Sequence, residues 1–136
     1  MGYWLFKSDP ETYGFHDLER DKQTVWDGVT NPLALKNLRS CKKGDPVIIY
    51  HTGDEKALIG LAEVTREAYP DPKKKDPKLA VVEIKVLKRF PKQITLADVK
   101  AKKAFVDFPL VRLPRLSVMP VTEAQWKALM KMMGED

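Results

Sequence analysis

The chain has 136 residues, 43% of them apolar and 32% charged, with 24 Lys and Arg against 19 acids and a net charge of +5. That length suits one domain around one core over residues 1–136, and no apolar run is long enough for a helical membrane span. A single cysteine, Cys41, excludes an internal disulfide and points to a reducing, cytoplasmic setting, and the basic balance favours a polyanion such as nucleic acid.

Residues Tyr3 to Lys7 are aromatic and aliphatic and stop at the turn signal Ser8-Asp9-Pro10, which predicts a strand rather than a leader peptide. In a strand, Trp4, Phe6 and Ser8 share one face. A short helical piece is expected from Phe15 to Arg20, and Thr24 to Gly28 reads as a loop. Asn31 then offers an N-cap and Pro32 a first helical position, followed by an apolar stripe of Leu33, Leu35 and Leu38 that ends near Ser40 to Gly44.

Pro46 to His51 and Ala57 to Val64 read as a hairpin across Thr52, Gly53 and Asp54, and Tyr69 to Pro77 as a Pro/Lys loop. Ala80, Val82, Ile84 and Val86 alternate with Glu83 and Lys85, the clearest half-buried strand in the chain. Thr95 caps a helix expected from Leu96 to Lys103, and a last strand is expected from Leu116 to Met119. Thr122 with Gln125 fits a capping box, and Trp126, Leu129, Met130 and Met133 follow at helical spacing as core residues. Strands that do not alternate with long helices predict an α+β fold, a small mixed barrel of five or six strands with peripheral short helices.

Little in the chain speaks for a metal or a cofactor. His16, His51 and Cys41 stand at no zinc-site spacing, and the seven glycines form neither a phosphate loop nor a dinucleotide fingerprint, so no cofactor is expected. Ser8 with Lys7, or Cys41 with His51, can be drawn as nucleophile and base, but neither sits in a nucleophile turn; Cys41 reads better as a small apolar residue at a helix end.

The segment Trp26-Asp27-Gly28-Val29-Thr30-Asn31 carries more information. An indole in a polar loop can stack on a nucleobase, worth about 1–3 kcal/mol per base, while Asp and Asn satisfy the base edge. The alternative is that Trp26 plugs the end of the barrel and Asp27 serves a turn. His51, at the end of its strand, either packs in the core or points a ring nitrogen into a pocket. Arg112 and Arg115 either contact phosphate or are merely exposed, and the run Lys73, Lys74, Lys75 and Lys78 reads first as a solvated loop.

Six stretches in order resemble one known family. They are Tyr3-Trp4-Leu5-Phe6-Lys7-Ser8-Asp9-Pro10, the Trp26 to Asn31 segment, Ile49-Tyr50-His51-Thr52, Gly60-Leu61-Ala62-Glu63-Val64, Glu67 to Pro72, and Arg115 to Val121. Together they resemble the signatures of EVE-domain proteins across nearly the whole chain. Two positions depart from that pattern: Asp9 stands where Glu is usual, and Thr30 where many members carry Arg.

The resemblance implies a PUA-like β-barrel that reads a modified base in an aromatic-lined pocket and is not an enzyme. Carried over position by position, the implied pocket draws on Trp4, Lys7 and Ser8, on Trp26, Asp27, Gly28, Val29 and Asn31, and on His51 and Thr52, with Arg115 and Ser117 at its border. The expected partner is a modified cytosine or adenine in DNA or RNA, with no membrane, bound by a monomer. Which of Trp4 and Trp26 stacks on the base stays open, and the rival expectations are an enzyme acting on a nucleotide or RNA and a protein-interaction module.

Overall fold

A computed structural model describes residues 2–134. Strand β1 (Tyr3–Ser8) enters the sheet as an interior strand and is followed by two short helices, α1 (Pro10–Tyr13) and α2 (Phe15–Asp21). Asp9 starts α1 by accepting the Glu11 N–H at 3.0 Å, and Pro10 supplies a preset φ at the first helical position. Strand β2 (Gln23–Trp26) comes next, then α3 (Pro32–Ser40), whose Asn31 cap accepts the Ala34 N–H at 3.0 Å.

Strands β3 (Pro46–His51), β4 (Ala57–Pro70) and β5 (Ala80–Thr95) follow, then α4 (Leu96–Lys100), a 3-10 turn at Lys103–Phe105, α5 (Pro109–Arg112), β6 (Val118–Val121) and α6 (Glu123–Met132). The six strands form one mixed sheet in the order β2-β5-β4-β3-β1-β6. β1 runs parallel to β3 and antiparallel to β6, and the other neighbours are antiparallel. The expected α+β class, strand number and peripheral helices are those observed. The sheet, however, stays open, with β2 and β6 at opposite ends of the order.

Several boundaries differ from expectation. The segment expected as a loop from Thr24 is an edge strand, with Thr24 opposite Ile84 and Trp26 opposite Val82. Thr24, Val25 and Trp26 all suit a pleated surface, but four residues are too few for alternation to show. β4 continues past Val64 to Pro70, so Tyr69 and Pro70 pair with Val81 and Ala80 instead of opening a loop. The exposed Arg66 and Glu67 and repeated register shifts break the period there. The helix after Thr95 splits at Ala101 into α4 and the 3-10 turn, and the last strand begins at Val118. In α3, Ala34, Leu35 and Leu38 are buried and Leu33 is exposed.

Leu5, Phe6, Ile48, Ile49, Leu58 and Ile84 of the sheet belong to one buried core cluster with Phe15 and Leu18 of α2. Trp126 of α6 is buried beside Tyr3, with ring centroids 4.8 Å apart. Gly60 of β4 is the position that lets α2 approach. A Cβ there would lie 2.5 Å from Cε1 and 2.7 Å from Cε2 of the Phe15 ring, and nearer still to Cζ. That contact sets α2, and with it α1, against the sheet.

Candidate binding site

A recess of about 660 Å³ opens where the C-terminal end of β1 meets the end of edge strand β2. β1 contributes Lys7 and Ser8, followed by Asp9, and α1 contributes Thr12 and Tyr13. β2 and the turn after it supply Thr24, Val25, Trp26, Asp27, Gly28 and Val29. Ser117, just before β6, and Lys73, from the β4–β5 connection, complete the lining. The volume is within the range of small-ligand sites, roughly 300–1,000 Å³.

Trp26 is the large aromatic of this lining, held by two rings. Phe6 lies 5.6 Å away, tilted by 39°, and Tyr13 stands edge-on at 6.4 Å and 87°. With 8% of its surface exposed, the indole presents only part of itself to the cleft and is otherwise fixed. Gly28 turns the chain at φ 79°, a left-handed conformation natural to glycine, and this leaves Asp27 exposed at the rim while Val29 turns inward. Tyr13 donates its hydroxyl to Asp21 Oδ2 at 2.9 Å, and burial pushes its phenol above the usual range.

Lys7 and Ser8 are held from several sides. The Lys7 N–H donates to Ser117 O at 2.8 Å, which ties β1 to the β6 approach. The Lys7 ammonium donates to Pro114 O at 2.7 Å and lies 5.9 Å from the Tyr50 ring centroid, and burial pulls its pKa below the usual lysine range. Ser8 Oγ donates to the Tyr13 carbonyl. Its own carbonyl accepts the Thr52 N–H at 2.9 Å and the Thr52 hydroxyl at 3.4 Å.

The residues that the sequence grouped into one pocket thus fall into three sets. Lys7, Ser8, Trp26, Asp27, Gly28, Val29 and Ser117 line the cleft. Thr52, His51 and Asn31 lie outside the lining and hold neighbouring elements. Thr52 braces Ser8, and Asn31 caps α3. His51 is buried, accepts the Phe15 N–H on Nε2 at 2.9 Å, and faces Glu55 Oε1 with Nδ1 at 3.0 Å. That pattern requires the Nδ1–H tautomer and locks the start of α2 to the end of β3.

Trp4 and Arg115 lie outside the lining. The Trp4 indole donates to Asp45 Oδ2 at 2.9 Å in the interior, four residues and roughly 13 Å along the strand from Ser8. Arg115 is exposed beside Pro114.

Asp9, Thr12, Tyr13, Thr24, Val25 and Lys73 complete the cleft but were not among the expected pocket residues. Asp9 and Lys73 carried weak signals, as a family departure and as part of a lysine run. Tyr13 carried none, because nothing local shows that α1 folds back toward Trp26.

The arrangement suits binding of a flat polar ring. Carboxylates of Asp9 and Asp27 accept, hydroxyls of Ser117 and Thr12 donate or accept, and Trp26, Val25 and Val29 provide apolar surface. Both ring nitrogens of His51 are engaged, and burial pushes the Cys41 thiol well above its usual range, so it is no thiolate nucleophile. Among the described residues, no three His, Cys, Asp or Glu side chains stand together as metal ligands, and no helix is long and apolar enough to cross a membrane.

Comparison with known proteins adds four findings. The EVE domain family profile matches residues 2–132. Mouse thymocyte nuclear protein 1 is 30% identical over 164 residues, an alignment covering 96% of this chain and 73% of that protein. Among solved structures, a protein of Rhodopseudomonas palustris is similar with a TM-score of 0.93 and 38% identity, covering 98% of this chain and 94% of that one. Human THYN1, crystallised in complex with DNA containing 5-methylcytosine, is similar with a TM-score of 0.90 and 26% identity, over 100% of this chain and 99% of that one.

Proposed function

The chain belongs to the EVE domain family, and from that premise we propose that it binds nucleic acid and reads a modified base in the Trp26 cleft, without catalysing a reaction on it. The observation that carries this reading is a recess with an indole wall and a carboxylate rim, in a chain similar end to end to a protein crystallised with 5-methylcytosine DNA. A modified cytosine in DNA fits it best. The exocyclic amine of cytosine is a donor that a carboxylate such as Asp27 accepts, while a 5-methyl group needs apolar contact of the kind Val25 and Val29 offer. A base reaches such a cleft only out of the stack, which costs a few kcal/mol, so a single-stranded or weakly paired site is favoured. A reducing, cytoplasmic compartment agrees with the one buried cysteine.

The test is tryptophan fluorescence titrated with a panel of modified and unmodified nucleosides. The expected result is saturable quenching by 5-methyl-2′-deoxycytidine, weaker with deoxycytidine, and loss of most affinity in Asp27→Ala. Equal or absent response to every nucleoside would sink the reading.

A further inference from the structure

We infer that the connection between β4 and β5 is a phosphate clamp: Lys73 at the cleft mouth, with Lys74 and Lys75 beside it, holds two phosphodiester groups of the strand whose base enters the cleft. This rests on the base-reading proposal above.

Three observations carry it. First, the cleft lining contains two cations, and one of them is spent. Lys7 gives its ammonium to Pro114 O and the Tyr50 face, whereas Lys73 enters no ion pair among the described residues. Lys74 and Lys75 are likewise exposed and enter none. By contrast Arg20, Arg66, Lys85, Arg89, Arg112 and Lys127 all face carboxylates within 3.3 Å.

Second, the acids in this connection are turned into its own backbone. Buried Asp71 accepts the Lys73 N–H on Oδ1 at 2.9 Å, and Asp76 Oδ1 accepts the Lys78 N–H at 2.9 Å. Asp71 also donates its N–H to Leu79 O at 3.2 Å, and Arg39 donates to Lys78 O. The carboxylates therefore fix the loop's shape while the ammonium groups face outward.

Third, the clamp is continuous with the cleft. A nucleotide whose base lies in the recess has its sugar and flanking phosphates at the mouth, where Lys73 stands. Lysine acts on phosphate as a flexible point charge, so the contact is independent of sequence and supplies affinity while the recess supplies choice.

The experiment uses the full chain as wild type, Lys73→Gln, and the triple variant Lys73→Gln, Lys74→Gln and Lys75→Gln. A triple change of the exposed Lys100, Lys102 and Lys103 to Gln is the control. Each is titrated with a labelled oligonucleotide carrying one 5-methylcytosine from 50 to 200 mM salt, and separately with the phosphate-free nucleoside. Each lost phosphate contact should lower the slope of log K against log salt by about 0.7–0.9. Two lost contacts should shrink the wild-type advantage over the triple variant by about tenfold across that salt range. Nucleoside binding should persist in the variants, and the slope of the control should not change.

A slope unchanged in the triple variant, with nucleoside still bound, overturns the clamp and leaves base reading standing. Oligonucleotide binding with a Lys73-dependent slope but no nucleoside binding overturns base reading and supports the clamp. A slope that falls equally in the control, or a wild type that binds no oligonucleotide, overturns the clamp.

Discussion

Replacing Gly60 by Ala tests the contact that holds the α1–α2 wall of the cleft. The added methyl would meet Cε1 and Cε2 of Phe15 at 2.5 and 2.7 Å, about 1 Å inside ordinary carbon contact of 3.5–4.0 Å. The ring has no free direction, because Phe15 is fully buried and the Arg89 guanidinium lies 5.3 Å from its centroid. Overpacking of this kind costs about 1–3 kcal/mol, and three ring atoms inside the limit put Gly60→Ala in the upper half of that range. Reduced backbone freedom of the unfolded chain returns about 0.4–1 kcal/mol. The net expectation is a loss of about 1–2.6 kcal/mol, read as a lower urea midpoint with unchanged m-value. In a Phe15→Leu background the ring edges are gone, so the same change should cost under about 0.5 kcal/mol. Gly60→Ala at wild-type stability, or an equal cost in both backgrounds, would refute the packing argument.

Two further changes separate the remaining parts of the account. Trp4→Phe removes the donor to the buried Asp45 carboxylate, a bond to a charged group worth about 1.5–3 kcal/mol, and should lower the urea midpoint while leaving nucleoside affinity within twofold. An affinity loss without a stability loss would instead return Trp4 to the site. Acid should destabilise the fold from about pH 4 downward. Asp17, bonded by the Gly14 N–H, Glu19, bonded by Arg89, and Asp98, bonded by the Thr95 N–H, all titrate below the usual carboxylate range. The unfolded chain therefore takes up their protons first as pH falls, and the stability they add at neutral pH is lost through their folded pKa values. Melting temperature followed from pH 7 to 3 checks this, and a constant value below pH 4 would contradict it.

Much of the sheet was legible because local pattern and burial agree. Ala80, Val82 and Ile84 alternate in the sequence and are buried in β5, and the Thr122 capping box starts α6 as read. The boundaries that slipped lie where tertiary pairing overrides local signal. Four residues from Gln23 become a strand because β5 offers them an edge, and Arg66 sits in β4 despite its exposure.

The candidate site shows the same division. Trp26 to Val29 line the cleft as a contiguous segment, so a single motif located them. Shared strand face misled for Trp4, because alternation fixes the side of the sheet and not the end of the strand. The buried Asp45 that holds its indole is 41 residues away and invisible to local reading. For His51, the core alternative is the one observed, but its partner Phe15 is 36 residues away and invisible to local reading.

The most direct test of base reading is a crystal structure of this chain with an oligonucleotide carrying one 5-methylcytosine. The account predicts the methylated base out of the stack, in the recess beside Trp26, with its amine within hydrogen-bond distance of Asp27 or Asp9. A methylated base that stays stacked in the nucleic acid, or one bound away from Trp26, would contradict it.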